Sequence, residues 1–349
     1  MSSQPSARNP VRVLIVEDSP IMQQMLKALL ETDADIEVVG TAPDPFEARE
    51  RIKMLKPDVL TLDVEMPRMD GLTFLSNLMR LRPMPVVMVS SLTEANADTT
   101  LKALELGAVD FATKPSGTGN AALEEFGDDL RDKVRNAAKA ELKPVSTLRR
   151  SVPPDIQFKP GSIIAIGAST GGTEAIKEVL TRLPANCPPI VMVQHMPEMF
   201  TRMFAKRLND DCPMTVKEGE DGEYLQPGHA YLAPGDWHMR VTGPAGKPKL
   251  RIEQTDPVNR HRPSVDVLFQ SVAELKAAAV AGVLLTGMGR DGADGMGLMK
   301  AAGAFTFAQS GESCVVYGMP RAAIEAGFVD CAAPVENLAT NIMDALKAR

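Results

Sequence analysis

Short apolar runs alternate with amphipathic segments from residue 11 onward. The runs read VRVLIVED, IEVVGTA, DVLTLDV and PVVMVSS. Nearly continuous apolar runs of this kind are typical of parallel strands that helices cover on both faces. Between the first two runs, Ile21, Met25, Leu26 and Leu29 recur at helical spacing. The pattern predicts a doubly wound α/β domain over residues 11–128.

A second α/β rhythm begins near residue 160. Its apolar runs read SIIAIGAS, IVMVQH, AAVAGVLLTGMG and AFTFAQS, whereas HAYLAPGDWHMRVTG and LRIEQ read as an antiparallel hairpin. We therefore predict a second doubly wound α/β domain over 160–349 with an antiparallel hairpin insertion. Residues 129–159 are predicted to be a helical extension and an interdomain linker, because residues 143–160 have too little apolar periodicity for a core element.

Length and charge narrow the class of protein. A chain of 349 residues can bury two ordinary cores. It contains no apolar run near the roughly 18 to 20 residues of a bilayer span and no secretory signal, so we expect a cytoplasmic protein without membrane insertion.

The net charge of −7 argues against nucleic acid as a partner. The four scattered cysteines are predicted to be reduced packing residues.

Acidic side chains stand at the predicted carboxyl ends of two strands. Glu17 and Asp18 close the first strand and Asp63 closes the third. The ends of parallel strands meet at one edge of a sheet, where three acids repel one another unless a cation intervenes. Mg²⁺ suits this oxygen cluster and would keep Asp63 ionised as a nucleophile. Ser90 and Lys114 close the next two strands and could bind phosphoryl oxygens.

Any one of these acids alone is more often a helix cap or a solvated strand end than a phosphorylation site. Together they resemble the response-regulator receiver family over about residues 11–120, with LDVEMPRMDG carrying the phosphorylated aspartate. The resemblance implies a flavodoxin-like receiver domain that is phosphorylated on Asp63. It also implies that Asp18, Asp63 and the Glu65 carbonyl ligate Mg²⁺.

The same resemblance assigns roles to the other strand ends. It implies that Ser90 is the switch hydroxyl, that Lys114 pairs with the phosphoryl group, and that the bond from Lys114 to Pro115 is cis. Glu17 departs from the family pattern, since many receivers have aspartate there. The substitution lengthens the side chain but preserves its charge, so the prediction changes little.

A glycine-rich turn, GASTGG, follows the first strand of the second domain. Residues 167–172 satisfy the G-x-S-x-G pattern of a nucleophile elbow. The glycines permit a tight turn that presents the Ser169 hydroxyl near helix amides. A turn of this composition can alternatively bind nucleotide phosphates, but G-x-G-x-x-G and the Walker lysine are absent, which leaves nucleotide binding as the weaker hypothesis.

A serine nucleophile needs a base, and the chain has four histidines. His195 ends the strand PPIVMVQH, at the same edge as Ser169, whereas His229 and His238 lie in the predicted hairpin. His261 lies in NRHRPSVD. A lone histidine is more often structural than catalytic, but the shared strand-end placement favours His195.

The third member of such a triad is an acid that orients the imidazole. Asp291, after AGVLLTGMGR, fits best, and Asp266 and Asp294 are rivals that could instead cap helices. The order serine, histidine, aspartate differs from that of α/β-hydrolases, which disfavours that superfamily.

The segments GASTGG, VQHMP and TGMGRDG together resemble the methylesterase domain of the chemotaxis protein-glutamate methylesterases, the CheB family. The resemblance covers about residues 160–345 and includes LAPGDWH and HRPSVD. It implies that Thr170 and Met288 line the active cleft and that ester hydrolysis needs no cofactor. It also implies a catalytic triad of Ser169, His195 and Asp291.

The resemblance further implies what such a protein does. A phosphorylation-activated serine hydrolase would demethylate glutamates of methyl-accepting chemotaxis receptors and deamidate receptor glutamines, with a chemotaxis histidine kinase as phosphodonor. Amides near His195 and Met288 would stabilise the oxyanion. Two alternatives stay open at this point: a response regulator with a non-catalytic, DNA-binding or protein-binding output, and a serine esterase or amidase that acts on a small metabolite.

Overall fold

The computed structural model describes residues 9–66, 69–91, 93–115, 119–142, 156–244, 246–275, 277 and 279–348. The chain divides into two compact units, Met1–Val145 and Ser146–Arg349. Most of the predicted linker, residues 143–155, lies outside the described residues. No helix in the described ranges combines the length and the apolar run that a bilayer crossing requires.

The described residues of the first unit form a five-stranded parallel sheet in the order β2-β1-β3-β4-β5. The strands are β1 (Val11–Val16), β2 (Ile36–Ala42), β3 (Val59–Asp63), β4 (Val86–Ser90) and β5 (Asp110–Thr113). The helices are α1 (Pro20–Leu30), α2 (Pro45–Leu55), α3 (Gly71–Leu81), α4 (Glu94–Glu105) and α5 (Asn120–Ala137). Since α1 packs on α5 and α3 packs on α4, the unit is the doubly wound α/β fold that the sequence predicts.

Local sequence explains why the helices of this unit begin where they do. Ser19 and Asp44 are N-caps whose side chains accept hydrogen bonds from backbone amides of α1 and α2. Each is followed by a proline at the first helical position, where a missing amide proton costs nothing. The loops after β1 and β2 are therefore short, and the residues that follow the strands are held at the sheet edge.

The described part of the second unit contains a seven-stranded parallel sheet in the order β14-β13-β12-β6-β7-β9-β8 and a separate antiparallel hairpin. The sheet strands are β6 (Ser162–Ala168), β7 (Ile190–Gln194), β8 (Thr215–Glu218), β9 (His229–Leu232), β12 (Ala279–Leu284), β13 (Phe305–Gln309) and β14 (Cys331–Ala333). The hairpin strands are β10 (His238–Thr242) and β11 (Lys249–Glu253).

Helices connect the strands of this second sheet. They are α6 (Gly172–Leu180), α7 (Glu198–Asp211), α8 (Val265–Glu274), α9 (Ala293–Ala301), α10 (Met319–Glu325) and α11 (Val335–Leu346), with a 3₁₀ turn at Gly311–Ser313. Helices α8 and α9 approach closely because Gly295 has no side chain. A Cβ at this position would lie only 2.7 Å from the Cβ of Phe269. This close approach holds the loop before α9 against the start of α8.

The predicted antiparallel hairpin is confirmed, but it contains fewer residues than the sequence predicts. Residues 238–242 pair with residues 249–253 in antiparallel register. The segment HAYL, however, is the strand β9, which pairs in parallel with β7 and β8. The placement of His229 in the hairpin was therefore wrong. Strand β9 lies inside the sheet with a partner on each side, and its apolar residues are accordingly buried.

Candidate functional site

The acidic residues of the first unit meet at the carboxyl edge of its sheet. Strands β1 and β3 are in register from Val13 to Val16, so the residues that follow them lie side by side. One carboxylate oxygen from each of Glu17, Asp18 and Asp63 lies within 4.8 Å of the other two. Glu17 and Asp63 are buried and Asp18 is exposed, so the cluster is open on one side.

Lys114 provides a positive charge to this acidic pocket. Its Nζ lies 3.0 Å from Glu17 Oε2 and 3.0 Å from Asp63 Oδ2. Burial raises the pKa of both Glu17 and Asp63, and the charge of Asp63 raises that of Glu17 further. The positive charge of one ammonium does not balance the negative charge of two buried carboxylates, and a third acid stands beside them. The pocket therefore suits a hard divalent cation such as Mg²⁺.

Ser90 ends the neighbouring strand β4 and is fully buried. Its Oγ donates a weak hydrogen bond of 3.4 Å to the carbonyl of Ser91. The backbone amide of Lys114 donates to the carbonyl of Ser90 at 2.8 Å, which links the ends of β4 and β5. The hydroxyl and the ammonium therefore belong to adjacent strand ends.

Two further expectations concern this edge. The amide of Glu65 donates to Asp63 Oδ1 at 3.4 Å, so the loop after β3 folds back towards the acidic pocket. The expectation of a cis bond between Lys114 and Pro115 was wrong. Within the described ranges, the one cis peptide bond joins Arg262 to Pro263.

The sheet order of the second unit brings three polar residues to one edge. Strand β6 lies between β7 and β12 in a wholly parallel arrangement. Ser169 directly follows β6, His195 directly follows β7, and Asp291 lies in the loop between β12 and α9. The carboxyl ends of three adjacent strands therefore supply the three residues.

Ser169 lies in a turn that several contacts hold in place. Its amide donates to the carbonyl of Thr286 at 3.0 Å, and its carbonyl accepts from the Gly172 amide at 2.7 Å and from Gln194 Nε2 at 2.9 Å. Gly171 has a φ of +75°, a backbone conformation that residues other than glycine rarely adopt. A Cβ at Gly287 would lie 2.7 Å from that of Ser169, so the turn needs glycine on two sides.

His195 is bound to Asp291 through one ring nitrogen. Nε2 lies 2.8 Å from Asp291 Oδ2. Nδ1 is buried and has no hydrogen-bond partner in the described part of the chain. An ionised Asp291 requires the proton on Nε2, which leaves Nδ1 as an acceptor. In this geometry, Ser169 Oγ makes no hydrogen bond to Nδ1 among the described residues. Hydrogen bonds between catalytic residues are often long or poorly aligned in enzymes without bound substrate.

Asp291 is surrounded by hydrogen-bond donors at the start of α8. It accepts from Ser264 Oγ at 2.7 Å, from the Val265 amide at 2.7 Å and from Asn259 Nδ2 at 2.8 Å. Burial alone would raise the pKa of Asp291, but the hydrogen bond and charge of His195 and the hydrogen bonds from Asn259 and Ser264 hold it well below its ordinary value. The carboxylate is therefore ionised at neutral pH.

The chain is similar to known proteins over nearly its whole length. Residues 164–342 match the sequence model of a family described as CheB methylesterase, and residues 13–123 match that of the response regulator receiver domain. A protein-glutamate methylesterase/protein-glutamine glutaminase of Nitrosomonas europaea is 52% identical over 342 residues, which cover 95% of this chain and 96% of the relative. The chain belongs to the CheB methylesterase family.

Other members of the CheB family are similar over nearly the same length. A protein-glutamate methylesterase/protein-glutamine glutaminase of Escherichia coli is 54% identical over 323 residues, covering 91% of this chain and 92% of the relative. The crystal structure of the Thermotoga maritima CheB methylesterase catalytic domain is 41% identical, with a TM-score of 0.51, and covers 52% of this chain and 97% of that domain. The similarity to the solved domain concerns the second unit.

The two rival acids make other contacts. Asp294 is exposed and bonds to Arg290 Nη2 at 2.6 Å. Asp266 accepts from the Gly295 amide at 2.7 Å and from Asn259 Nδ2 at 2.7 Å. Burial, with a contribution from the charge of Asp291, raises the pKa of Asp266 to about 6. Of the three candidate acids of this CheB-family chain, Asp291 is the one that bonds to His195.

The remaining histidines differ in their contacts. His238 is fully buried, with Nδ1 accepting from the Ser264 amide at 3.2 Å and Nε2 donating to the carbonyl of Asp256 at 3.1 Å. Burial lowers the pKa of His238, which keeps it neutral. His261 stacks on His195, with ring centroids 3.7 Å apart. Neither contact was predicted from the sequence.

The residues predicted to line the cleft lie beside the serine turn. Thr170 is buried, and its carbonyl accepts from Thr286 Oγ1 at 3.0 Å. Met288 is 36% exposed and follows Gly287, which packs against Ser169. Thr286 was not predicted as part of this site, although it ends the run AGVLLT and so stands at the same sheet edge. Cleft lining by Thr170 and Met288 stays a prediction.

Proposed function

We propose that Ser169, His195 and Asp291 are the catalytic triad of a protein-glutamate methylesterase and protein-glutamine glutaminase that acts on methyl-accepting chemotaxis receptors. The bond between His195 Nε2 and Asp291 Oδ2, at the strand end beside Ser169, is the observation that carries the proposal. It is supported by the family membership of the chain and by the unpartnered Nδ1 of His195. The substrate region would be the cytoplasmic helices of the receptors, so we place the protein in the cytoplasm.

The first half-reaction follows from this geometry. His195 Nδ1 accepts the hydroxyl proton of Ser169 while Oγ attacks the γ-carbonyl of a glutamyl methyl ester. The tetrahedral intermediate then expels the methoxy group, which takes the proton from the imidazolium and leaves as methanol. Asp291 keeps the second proton on Nε2 and stabilises the positive charge of the ring. The product is an acyl ester on Ser169.

Water completes the cycle by the same steps. His195 removes a proton from the water molecule, the resulting nucleophile attacks the acyl carbon, and Ser169 is released with its proton restored. A receptor glutamine gives the same acyl-enzyme with loss of ammonia in place of methanol. The proposed glutaminase activity therefore needs no further catalytic residue, and both reactions proceed without a cofactor.

The developing oxyanion needs backbone donors near Ser169. The amide of His195 itself donates to the carbonyl of Ala168 at 3.1 Å, so it is already bonded. The next amide, that of Met196, makes no hydrogen bond among the described residues, and Met196 adjoins the proposed base. We propose Met196 as one donor and the Met288 region as the source of another. A single donor of this kind contributes about 3 to 4 kcal/mol in hydrolases.

Control is proposed to begin at the acidic pocket. A chemotaxis histidine kinase would phosphorylate Asp63, with Mg²⁺ bound by Asp18, Asp63 and the Glu65 carbonyl. The cation would neutralise charge on the entering phosphoryl group. Lys114, already 3.0 Å from Asp63 Oδ2, would pair with that group, and Ser90 would hydrogen-bond to it. Phosphorylation would then raise the esterase activity of the second unit.

The test is methanol release from membranes that contain radiolabelled, methylated receptor. We expect native protein to release methanol, a small phosphodonor to stimulate release, and Ser169→Ala to lower it at least about 10⁴-fold. Ser76→Ala, which removes an exposed hydroxyl from α3, is the matched control. No release by native protein would overturn the methylesterase proposal. Hydrolysis of simple methyl esters without receptor demethylation would favour a small-metabolite esterase.

A further inference from the structure

A short turn after the hairpin reaches the proposed triad. Val258 and His261 exchange backbone hydrogen bonds of 3.0 Å and 2.9 Å. Between them, Asn259 and Arg260 have φ angles of +53° and +68°. Two consecutive left-handed residues form the tight turn that usually prefers Asn-Gly or Asp-Gly. Arginine in such a conformation is unfavourable, so other contacts must stabilise the turn.

Two residues of the turn, Asn259 and His261, contact the proposed triad. The ring of His261 lies on the ring of His195, with centroids 3.7 Å apart and planes inclined by 14°. Asn259 Nδ2 donates to Asp291 Oδ1 at 2.8 Å and to Asp266 Oδ2 at 2.7 Å. One four-residue turn thus touches the proposed base and the proposed acid.

The turn is itself anchored to the interior. The buried His238 binds the loop on both sides of the turn, through the Ser264 amide and the carbonyl of Asp256. Arg262 Nη1 donates to the carbonyl of Thr255 at 2.9 Å. These bonds hold the backbone on both sides of His261 without involving His195, so the turn can present the His261 ring to it.

The ring of His195 needs such a neighbour. Among the described residues, the His195 side chain makes one hydrogen bond, from Nε2 to Asp291, which lies in the plane of the ring. A single bond near the ring edge leaves the plane free to tilt about that bond. Tilting would turn Nδ1 away from Ser169, and small misplacements of a catalytic group can cost about 100-fold in rate. A parallel aromatic neighbour, with its ring centroid 3.7 Å away, would oppose such a tilt.

We infer that His261 is a positioning residue of the esterase, whose ring holds the plane of His195 so that Nδ1 faces Ser169. The inference rests on the proposed triad. In this role, His261 must place a flat ring against His195, but it need not accept or donate a proton. A phenyl ring should therefore replace it, which a role in proton transfer would not allow.

The test compares His261→Ala with His261→Phe in the full-length protein. We expect His261→Ala to lower kcat for receptor demethylation by about 10- to 100-fold with little change in KM. His261→Phe should restore kcat to within about threefold of native protein, since it keeps the stack. His229→Ala is the matched control, because that histidine stacks on Tyr231 and not on the proposed base.

A spectroscopic readout separates positioning from folding. The proton between His195 Nε2 and Asp291 should give a low-field proton resonance, which we expect to broaden in His261→Ala and to persist in His261→Phe. Unfolding followed by the fluorescence of Trp237, the single tryptophan, tests whether each variant is folded. An unchanged kcat in His261→Ala, or a loss that Phe does not restore, would overturn the inference. If native protein lacks esterase activity, the proposed function fails, whereas the resonance still tests the stack.

Discussion

The acidic pocket of the first unit and the Asp291 site of the second solve the same electrostatic problem differently. In the acidic pocket, two buried carboxylates share one ammonium, and burial raises the pKa of both. Asp291 is also buried, but the hydrogen bond and charge of His195, together with hydrogen bonds from Asn259 and Ser264, lower its pKa. A buried acid can thus stand in a pocket with too little positive charge, which favours the binding of a further cation, or among partners built into the fold that keep it ionised.

The difference matches the proposed tasks of the two sites. An acidic pocket with unsatisfied negative charge can accept a cation and a phosphoryl group, and so can change state. Asp291 accepts bonds from the hydroxyl of Ser264, the amide of Val265 and the amide group of Asn259. Its surroundings leave it no alternative arrangement, which suits an acid that must orient one imidazole without itself being protonated.

The largest expected effect comes from removing the charge at the Asp291 site. Asp291→Asn should lower kcat about 10⁴-fold, because an amide nitrogen facing Nε2 would favour the proton on Nδ1, where His195 can no longer accept one. Methanol release from methylated receptor measures the loss. Asp294→Asn, at the exposed neighbouring acid, is the control and should retain activity. A loss of less than tenfold in Asp291→Asn would contradict the proposed role of this carboxylate.

The next effect concerns the ammonium group of Lys114 in the acidic pocket. Lys114→Met should abolish the stimulation of methanol release by a small phosphodonor, since the phosphoryl group would lack its partner. Release with and without donor, together with radiolabel retained on the protein, measures the effect. Lys102→Met removes an exposed lysine that pairs with Asp98 on α4, and it should preserve the stimulation. Full stimulation in Lys114→Met would show that the amine is dispensable.

A smaller effect distinguishes Asp266 from Asp291. The pKa of Asp266 is raised to about 6, so its ionisation destabilises the folded state above that pH, and the penalty fades as pH falls towards the unfolded value near 4. The lowered pKa of Asp291 has the opposite consequence, a stability that is lost only below about pH 4.

Asp266→Asn removes the first contribution. The free energy of unfolding of the variant relative to native protein should therefore be highest near pH 8 and decline towards pH 5, by about 1 kcal/mol after solvent screening. Urea unfolding followed by Trp237 fluorescence reports on the second unit alone, because the chain has a single tryptophan. A difference that is independent of pH would show that Asp266 keeps an ordinary pKa.

The smallest effect is expected at the surface. Arg290 and Asp294 form an exposed ion pair at 2.6 Å, four residues apart. Arg290→Ala should change the free energy of unfolding by less than about 0.5 kcal/mol, because water screens such pairs. The same fluorescence experiment measures it. A larger change would mean that the surface pair supports the loop of Asp291, and that the contrast between buried and exposed acids is too simple.

The sequence predicted the two sheets because strand ends carry local signals. Glu17, Asp63, Ser169 and His195 each follow an apolar run, and parallel strands bring such ends together. The roles of Asn259 and His261 depended on a turn that no Asn-Gly or Asp-Gly signal marks, since arginine occupies its second position. Pairing partners are also non-local, which is why HAYL was assigned to the hairpin and not to the sheet.

The order of strands β12, β6 and β7 has a consequence for how the enzyme appears during synthesis. His195 and Asp291 are separated by 96 positions, and the contact between Thr286 and Thr170 spans 116. Contacts of such high order form late, after long loops close. A nascent chain that has exposed Ser169 and His195 to solvent still lacks its acid and the strand that supports the serine turn. The proposed esterase would therefore gain hydrolytic competence only after β12 and the loop that carries Asp291 have been made and β12 has paired with β6.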